Sequence, residues 1–530
     1  MSKSLKNISV VAGATVVSRV LGLVREMATA AVFGTGALNS AFVSAFTLPN
    51  LFRRLLGEGA LTAAFVPTLT HELEARQREG AFRLVSKVAS WLTLVTLVLV
   101  AVAMIAMANA DALVRLAEAW GLPAGAGRRL LLGADLAVVL FPYMIFVCLA
   151  AAFSAACQVL GRFTEPALSP IWLNLAILAA LGFGAWWAWA DAARMRLLCA
   201  GVLAGGFLQM IVPAAVLWRE GWRPAFDLKA DERLREIARL MAPTVASSAV
   251  YLVNIAMSRL LGLTLNDNAT SVLNLATRVM ELPIGVFTIA VATVVFPLIA
   301  RHAARSDWAA LTADYHKGLR LVLMINVPAA IGLALLSEPV TRLLFQRGAF
   351  GAGDTALMTP VLAIYALGLP FVSYTSLALR GFYSLKDTST PVRAAVLSFV
   401  VNLGLSLLLM RFWGTMGLAV AGNVAVVAQA VYLQTHLGRK RDGFGLGPLL
   451  PNLGKIALAG ALMGGAVGLG LKALGRTGWP VALQDWAVIG GLIPLAAAVY
   501  GALLWMLKIE GRDELQALLA RMRGRITGGS

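Results

Sequence analysis

Charge is scarce in this chain. Of its 530 residues 14% are Asp, Glu, Lys or Arg, against 59% that are hydrophobic, and the mean hydropathy is +0.78. That shortage excludes a single soluble globule and puts the chain in a bilayer. Cysteine is rarer still. Cys148, Cys157 and Cys199 all lie in or beside apolar stretches, and an odd number without metal spacing supports neither a disulfide framework nor a metal cluster. They read as packing residues. The four histidines, His71, His302, His316 and His436, fall between apolar runs without metal-ligand spacing and read as solvated. No metal or cofactor is expected.

Other absences narrow the function. No soluble basic module concentrates the 45 Lys and Arg, so the net charge of +18 does not point to nucleic acid. The Gly-rich stretch from Gly460 to Gly470 lies in an apolar run with no Lys-Ser/Thr after it, which makes it small-residue helix packing and not a phosphate loop. Without an ATP motif, energy has to come from an ion gradient, the membrane potential or the substrate gradient. The first apolar run carries Arg19, Arg25 and Glu26 and has no small-residue cleavage site, so it is expected to be a retained span.

What is present is apolar length. Runs of about 20 residues, enough to cross a bilayer, fall near 8–33, 38–70, 84–108, 132–158, 167–188, 197–218, 237–262, 269–300, 318–337, 355–384, 392–410, 416–436, 453–474 and 486–507. The expected fold is an all-α polytopic membrane protein of about 14 transmembrane helices. With the N-terminus inside, the inner segments hold 29 Lys and Arg and the outer ones 10, which favours cytoplasmic N- and C-termini. Ser18-Arg-Val-Leu-Gly-Leu23 recurs as Ser258-Arg-Leu-Leu-Gly-Leu263, and Leu48-Pro49 as Leu282-Pro283. This weak repeat predicts an N-terminal lobe over 1–218, a cytoplasmic linker helix over 219–239 with an apolar face of Leu234, Ile237, Leu240 and Met241, and a C-terminal lobe over 240–437. Two extra spans and a basic tail fill 438–530. Repeated lobes around a midplane site are a transporter architecture.

Six arginines fit no loop: Arg19, Arg25, Arg53, Arg54, Arg259 and Arg278. On the first span Arg19 and Glu26 share one face, with Ser18 and Arg25 on a row about 100° away. On the second, Asn50, Arg54 and Glu58 recur every four residues beside Arg53, and Pro49 lets the helix open. On the eighth, Ser271, Asn274, Arg278 and Glu281 line one face ahead of Pro283. An arginine at the bilayer centre costs about 2.5–3.5 kcal/mol on insertion scales, and three carboxylates cannot neutralise all six. A surplus of planar, permanently charged forks suits a phosphate or pyrophosphate. The alternative is structural: Arg25 paired with neighbours of Glu26, Arg54 with Glu58, Arg278 with Glu281, and Arg259 as an interfacial anchor.

The run Ser18-Arg-Val-Leu-Gly-Leu-Val-Arg25-Glu26, then Phe33-Gly-Thr-Gly36, Leu48-Pro-Asn-Leu-Phe-Arg-Arg54, Glu58-Gly-Ala60, Thr277-Arg-Val-Met-Glu-Leu-Pro-Ile-Gly285 and Gly381-Phe-Tyr-Ser-Leu-Lys-Asp-Thr-Ser-Thr-Pro391 closely resembles the bacterial lipid II flippase (MurJ, MviN) family. The resemblance implies a MATE-like transporter of the multidrug/oligosaccharidyl-lipid/polysaccharide exporter superfamily in the bacterial inner membrane. It would move lipid II, the polyprenyl-pyrophosphate-linked peptidoglycan precursor, outward by alternating access. Lipid II and membrane lipids are its expected partners, with the cell-wall synthesis machinery a candidate. The resemblance implies substrate handling by Arg19, Arg25, Arg53 and Arg278, an important acid at Glu58, and a tail groove formed by the last two spans. Support or gating falls to Ser18, Glu26, Asn50, Arg54, Ser271, Asn274 and Glu281. Two positions depart from the family pattern: Glu26 stands for its usual Asp, and Ser40, beside Asn39, for another.

Overall fold

The computed structural model describes residues 3–52, 61–123, 125–187, 189–440 and 443–513. Among these, helix is the only regular secondary structure and no strand forms. The reason is the solvent: in lipid every backbone N–H and C=O must be satisfied within the chain, which leaves helices as the economical solution for apolar runs of this length. Eight described helices are long and apolar enough to cross a membrane, and the bent pair Ala126–Leu140 and Tyr143–Val159 makes a ninth if it counts as one span. The protein is therefore a multi-pass membrane protein.

Two compact units emerge. The first comprises residues 1–271 with 347–351. Its helices are α1 (Lys3–Phe33), α2 (Ala37–Phe52), α3 (Leu61–Ala108), α4 (Ala110–Ala119), α5 (Ala126–Leu140), α6 (Tyr143–Val159), α7 (Thr164–Trp186), α8 (Asp191–Arg219) and α9 (Glu232–Leu265). The α3 helix turns an elbow at Arg76 and Gln77, and Gln77 takes a positive φ of 55°. The α1 helix packs on α7, α2 on α5, and α9 on α3, α2 and α5. The α8 helix packs on α7 and α6, and small residues permit its close approach to both, as expected where helices meet in lipid. A Cβ on Gly205 would lie 2.9 Å from the Leu173 backbone, and one on Gly206 would lie 2.5 Å from the Tyr143 ring. All three cysteines are free and buried in this packing. The α3 face bearing Val98, Val102 and Ile105 stays exposed, the surface a helix offers to acyl chains.

The second unit comprises residues 272–346 and 352–530. It holds most of α10 (Ala269–Pro283), then α11 (Ile289–Ala304), α12 (Trp308–Leu335), α13 (Ser337–Phe345), α14 (Ala352–Ser384), α15 (Ser389–Lys440), α16 (Leu450–Gly475), α17 (Val481–Ala487) and α18 (Ile493–Met506). The α12 helix packs on α11, α14 and α16, and its Met324 carbonyl accepts a buried bond from Tyr500 Oη of α18 at 2.8 Å. The Gly-rich stretch packs as its composition predicts. Cβ atoms on Gly460 and Gly464 would lie 2.8 and 2.7 Å from Ile331, and one on Gly470 would lie 2.5 Å from Leu492. The motif Lys386-Asp-Thr-Ser-Thr-Pro391 explains itself locally. Asp387 Oδ1 accepts from the Ser389 and Thr390 amides at 3.0 and 3.1 Å, starting α15, while its other oxygen meets Lys440.

The linker differs from a free surface helix. After Pro224 the chain runs without helix to Asp231, whose carboxylate caps the Leu234 amide at 3.0 Å; the helix that starts there continues unbroken through Leu265. Ile237 is buried and Leu234 and Met241 pack on a core of α3, α6 and α8 residues, while Leu240 stays exposed.

Candidate functional site

On α1, Arg25 has 15% of its side chain exposed, and both ends of its fork are engaged. Nη2 donates to Glu26 Oε1 at 2.6 Å, and Nη1 donates to Asn174 Oδ1 on α7 at 3.1 Å. Asn174, itself buried, donates back through Nδ2 to the Ser18 carbonyl at 3.2 Å. Ser18 therefore joins the cluster through its backbone and not its hydroxyl. Gly22, between them on the helix, leaves room for Asn174: a Cβ there would sit 3.9 Å from Nδ2. Arg19 lies nearly two turns before Arg25, is exposed, and makes no hydrogen bond or ion pair among the described residues. The first span thus carries one arginine held in place and one exposed.

On α2, Pro49 is buried inside the helix and Asn50 is half-buried, two residues before the helix ends at Phe52. Arg53, Arg54 and Glu58 lie outside the described residues. Ser40 has its hydroxyl fully buried, within 2.6 Å of the Asp267 carbonyl and 3.0 Å of Ser271 Oγ. The Ser271 amide reaches the same oxygen at 3.3 Å. The hydroxyl can both donate and accept, which a carboxylate there could not do. Where the family pattern has an acid, this chain has a neutral knot between α2 and the start of α10.

On α10, Arg278 donates through Nη1 to Glu281 Oε2 at 2.9 Å, an i,i+3 pair on one face, and Asn274 is buried one turn earlier. The helix then widens into a π turn over Ile284–Thr288. Pro283 has no N–H to give the carbonyl four residues back, so the regular ladder fails there. The turn ends on Thr288, buried, with Ser373 Oγ at 2.9 Å and Asn326 Nδ2 donating to it at 3.1 Å. Of the ion pairs in the structural reading, Arg278 with Glu281 forms, while Arg25 pairs with Glu26 itself and not with a neighbour of it. Arg259 turns inward and donates to the Thr270 carbonyl at 3.4 Å.

Two features escaped sequence reasoning. Asn174 gave no signal, because a lone Asn in an apolar run reads as a tolerated polar residue. The second is a set of ion pairs along the linker: Arg162 to Glu220 at 2.6 Å, Arg78 to Glu220 at 3.2 Å, Arg233 to Glu72 at 2.7 Å, and Lys87 to Asp231. Arg162 above all holds the Glu220 carboxyl below its ordinary value. Burial pushes Asp231 upward, but the Lys87 ammonium and the Leu234 amide outweigh it and hold it below the ordinary range.

With the arginine-bearing helices described, relatives decide the family. Residues 29–484 match the family model described as lipid II flippase MurJ. The chain belongs to the MurJ family. A probable lipid II flippase MurJ of Rhizobium tropici is 32% identical over 508 residues, covering 94% of this chain and 93% of that one. Its counterpart in Vibrio cholerae serotype O1 is 32% identical over 529 residues, covering 96% and 97%. The lipid II flippase MurJ of Burkholderia cenocepacia is 28% identical over 517 residues, covering 94% and 96%. Among solved structures, a lipid II flippase MurJ in an inward closed conformation superposes with a TM-score of 0.75 at 24% identity, covering 93% of this chain and 97% of that one. An inward-facing multidrug resistance MATE transporter gives 0.64 at 14% identity, covering 80% and 96%. These likenesses show the fold, which is MATE-like.

Proposed function

We propose that this MurJ-family protein is a transporter that flips lipid II from the cytoplasmic to the periplasmic face of the inner membrane, serving peptidoglycan synthesis. The observation that carries the reading is the first span: Arg25 is fixed by Glu26 and Asn174 while Arg19 stays exposed on the same helix. One guanidinium held in place and a second, exposed one nearly two turns away on the same helix suit a phosphate-bearing anion, because arginine forks match phosphate oxygens and the fixed one loses little side-chain freedom on binding. Arg53 and Arg278 complete the proposed substrate set. Pro49, Asn50, Arg54, Glu58, Asn274 and Glu281 support or gate it, and Pro283 and the π turn after Arg278 give α10 a place to bend. Transport follows by alternating access of these spans to the two membrane faces.

The remaining assignments belong to the same proposal. Both termini are cytoplasmic, lobes over 1–218 and 240–437 are the moving parts, and the helices after 438 guide the polyprenyl tail. The test is translocation by the full chain in vesicles, with lipid II set against another polyprenyl-pyrophosphate sugar. Wild-type protein should move lipid II, and Arg19→Ala, Arg25→Ala and Arg53→Ala should each abolish both movement and rescue of a flippase-depleted bacterium while still inserting. Full rescue by the triple variant would refute the reading.

A further inference from the structure

One buried arginine has no part in the site above. Arg129 lies in the first turn of α5 and is only 8% exposed, although its place between apolar runs assigns it to an aqueous segment. All three of its nitrogens are used. Nε donates to the Leu263 carbonyl at 2.7 Å, Nη2 donates to the Thr264 carbonyl at 2.8 Å, and Nη1 meets Asp267 Oδ1 at 3.3 Å. Leu263 and Thr264 close α9, where the final carbonyls lack intrahelical donors and a cation complements the helix dipole.

The turn from α9 to α10 is held from its other side too. Asn266 Oδ1 accepts from the Asn268 and Ala269 amides at 3.0 and 2.7 Å and so starts α10. Asn268 Nδ2 donates to Thr35 Oγ1 at 2.7 Å, and the Asp267 carbonyl accepts from Ser40. The packing leaves little slack. A Cβ on Gly133, one turn along α5 from Arg129, would lie 3.2 Å from Leu263, and one on Gly262 would lie 2.8 Å from Thr270 Oγ1.

We propose that Arg129 is a positioning residue for transport. Through the α9 carbonyls and Asp267 it holds residues 264–271 against α5, with Ser40 closing the other side, and so sets the start of the helix that carries Asn274 and Arg278. It touches no substrate. The inference rests on the flippase reading for what is being positioned, but the clamp itself rests on geometry alone. A planar fork serves it best, because its spread N–H groups reach the three acceptors in fixed directions, whereas an ammonium is a single compact centre that cannot span them all.

The test uses the full chain in lipid vesicles, with hydrogen exchange read by mass spectrometry beside lipid II translocation. In Arg129→Gln, exchange over 264–271 should rise at least tenfold while α7 and α8 stay as in wild type. Turnover should fall at least tenfold, with the half-saturating lipid II level within twofold of wild type. Arg129→Lys should recover part of both. If Arg129→Gln does not insert, Asp267→Asn keeps the two carbonyl bonds and should show the same changes in smaller measure. Unchanged exchange at the turn, an equal rise in α7 and α8, or a loosened turn with undiminished turnover would each overturn the proposal. A wild-type protein that moves no lipid II would sink the flippase reading instead, and the exchange result would still decide whether the clamp exists.

Discussion

Asn174 is the residue through which the first span can be probed without touching an arginine. It supplies one of the two described partners of the Arg25 fork, at 3.1 Å, the other being Glu26 at 2.6 Å. Replacing Asn174 with Ala leaves the Glu26 contact and removes the one that fixes the plane of the guanidinium relative to α7. A hydrogen bond to a charged group contributes about 1.5–3 kcal/mol, and water cannot fully replace it because the Arg25 side chain is only 15% exposed. If the bond is needed where pyrophosphate is held in transit, that loss corresponds to about a 10- to 100-fold slower translocation, at 1.36 kcal/mol per tenfold. Asn174→Asp separates geometry from charge. It keeps an acceptor for Arg25 but adds a second carboxylate beside it, so an anionic guest should be repelled and translocation should fall further than in the Ala variant. Initial rates of lipid II movement in vesicles, normalised to inserted protein, measure both. Wild-type rates in Asn174→Ala, or a faster Asp than Ala variant, would show that Arg25 does not meet an anion.

Three other outcomes follow from local geometry. The repeat glycines are not equivalent: Gly262→Ala should lower the melting temperature and surface abundance, because its Cβ falls 2.8 Å from Thr270 Oγ1, while Gly22→Ala, at 3.9 Å from Asn174, should be tolerated in the same thermal assay. The linker should loosen in acid. Glu220 and Asp231 have folded pKa values below their unfolded ones, near 4.5 and 3.8, so their stabilisation is complete above those values and lost as pH falls through the folded ones; proteolysis of 220–231 should be unchanged from pH 7 to 5 and rise below about 4. Asp485, buried on α17, accepts from Arg342 at 2.8 and 2.9 Å. Breaking a buried pair costs about 3–5 kcal/mol, but Arg342 keeps Glu338 and is a quarter exposed, so Asp485→Ala should cost about 2 kcal/mol, seen as a lower melting temperature.

The spans were legible because the bilayer demands about 20 apolar residues whatever the fold. The Arg278–Glu281 pair was legible because three residues along a helix are neighbours. Arg25 was half legible. Its sequence neighbour Glu26 could be named, but Asn174, 149 residues away, could not, since spacing along one helix carries no information about which helix packs against it. The elbow at Arg76 and Gln77 was hidden for a different reason: a polar stretch between apolar runs reads as a loop, whereas the backbone stays helical on both sides of it.

Ser40 shows why a departure from a family pattern is better read from its partners than from its chemistry alone. From sequence it is a missing carboxylate, a subtraction of charge from the second span. In the fold its hydroxyl sits against the Asp267 carbonyl, with Ser271 as a second neighbour. An Asp there would bring only acceptor oxygens to a carbonyl 2.6 Å away, unless it kept a proton. The negative charge is not lost from this corner, because Asp267 itself supplies one, and Arg129 is already beside it at 3.3 Å. The neutral residue at 40 and the buried arginine at 129 are thus two supports of one turn: Arg129 on α5 meets the Asp267 carboxylate, while α2 reaches the Asp267 carbonyl with a hydroxyl.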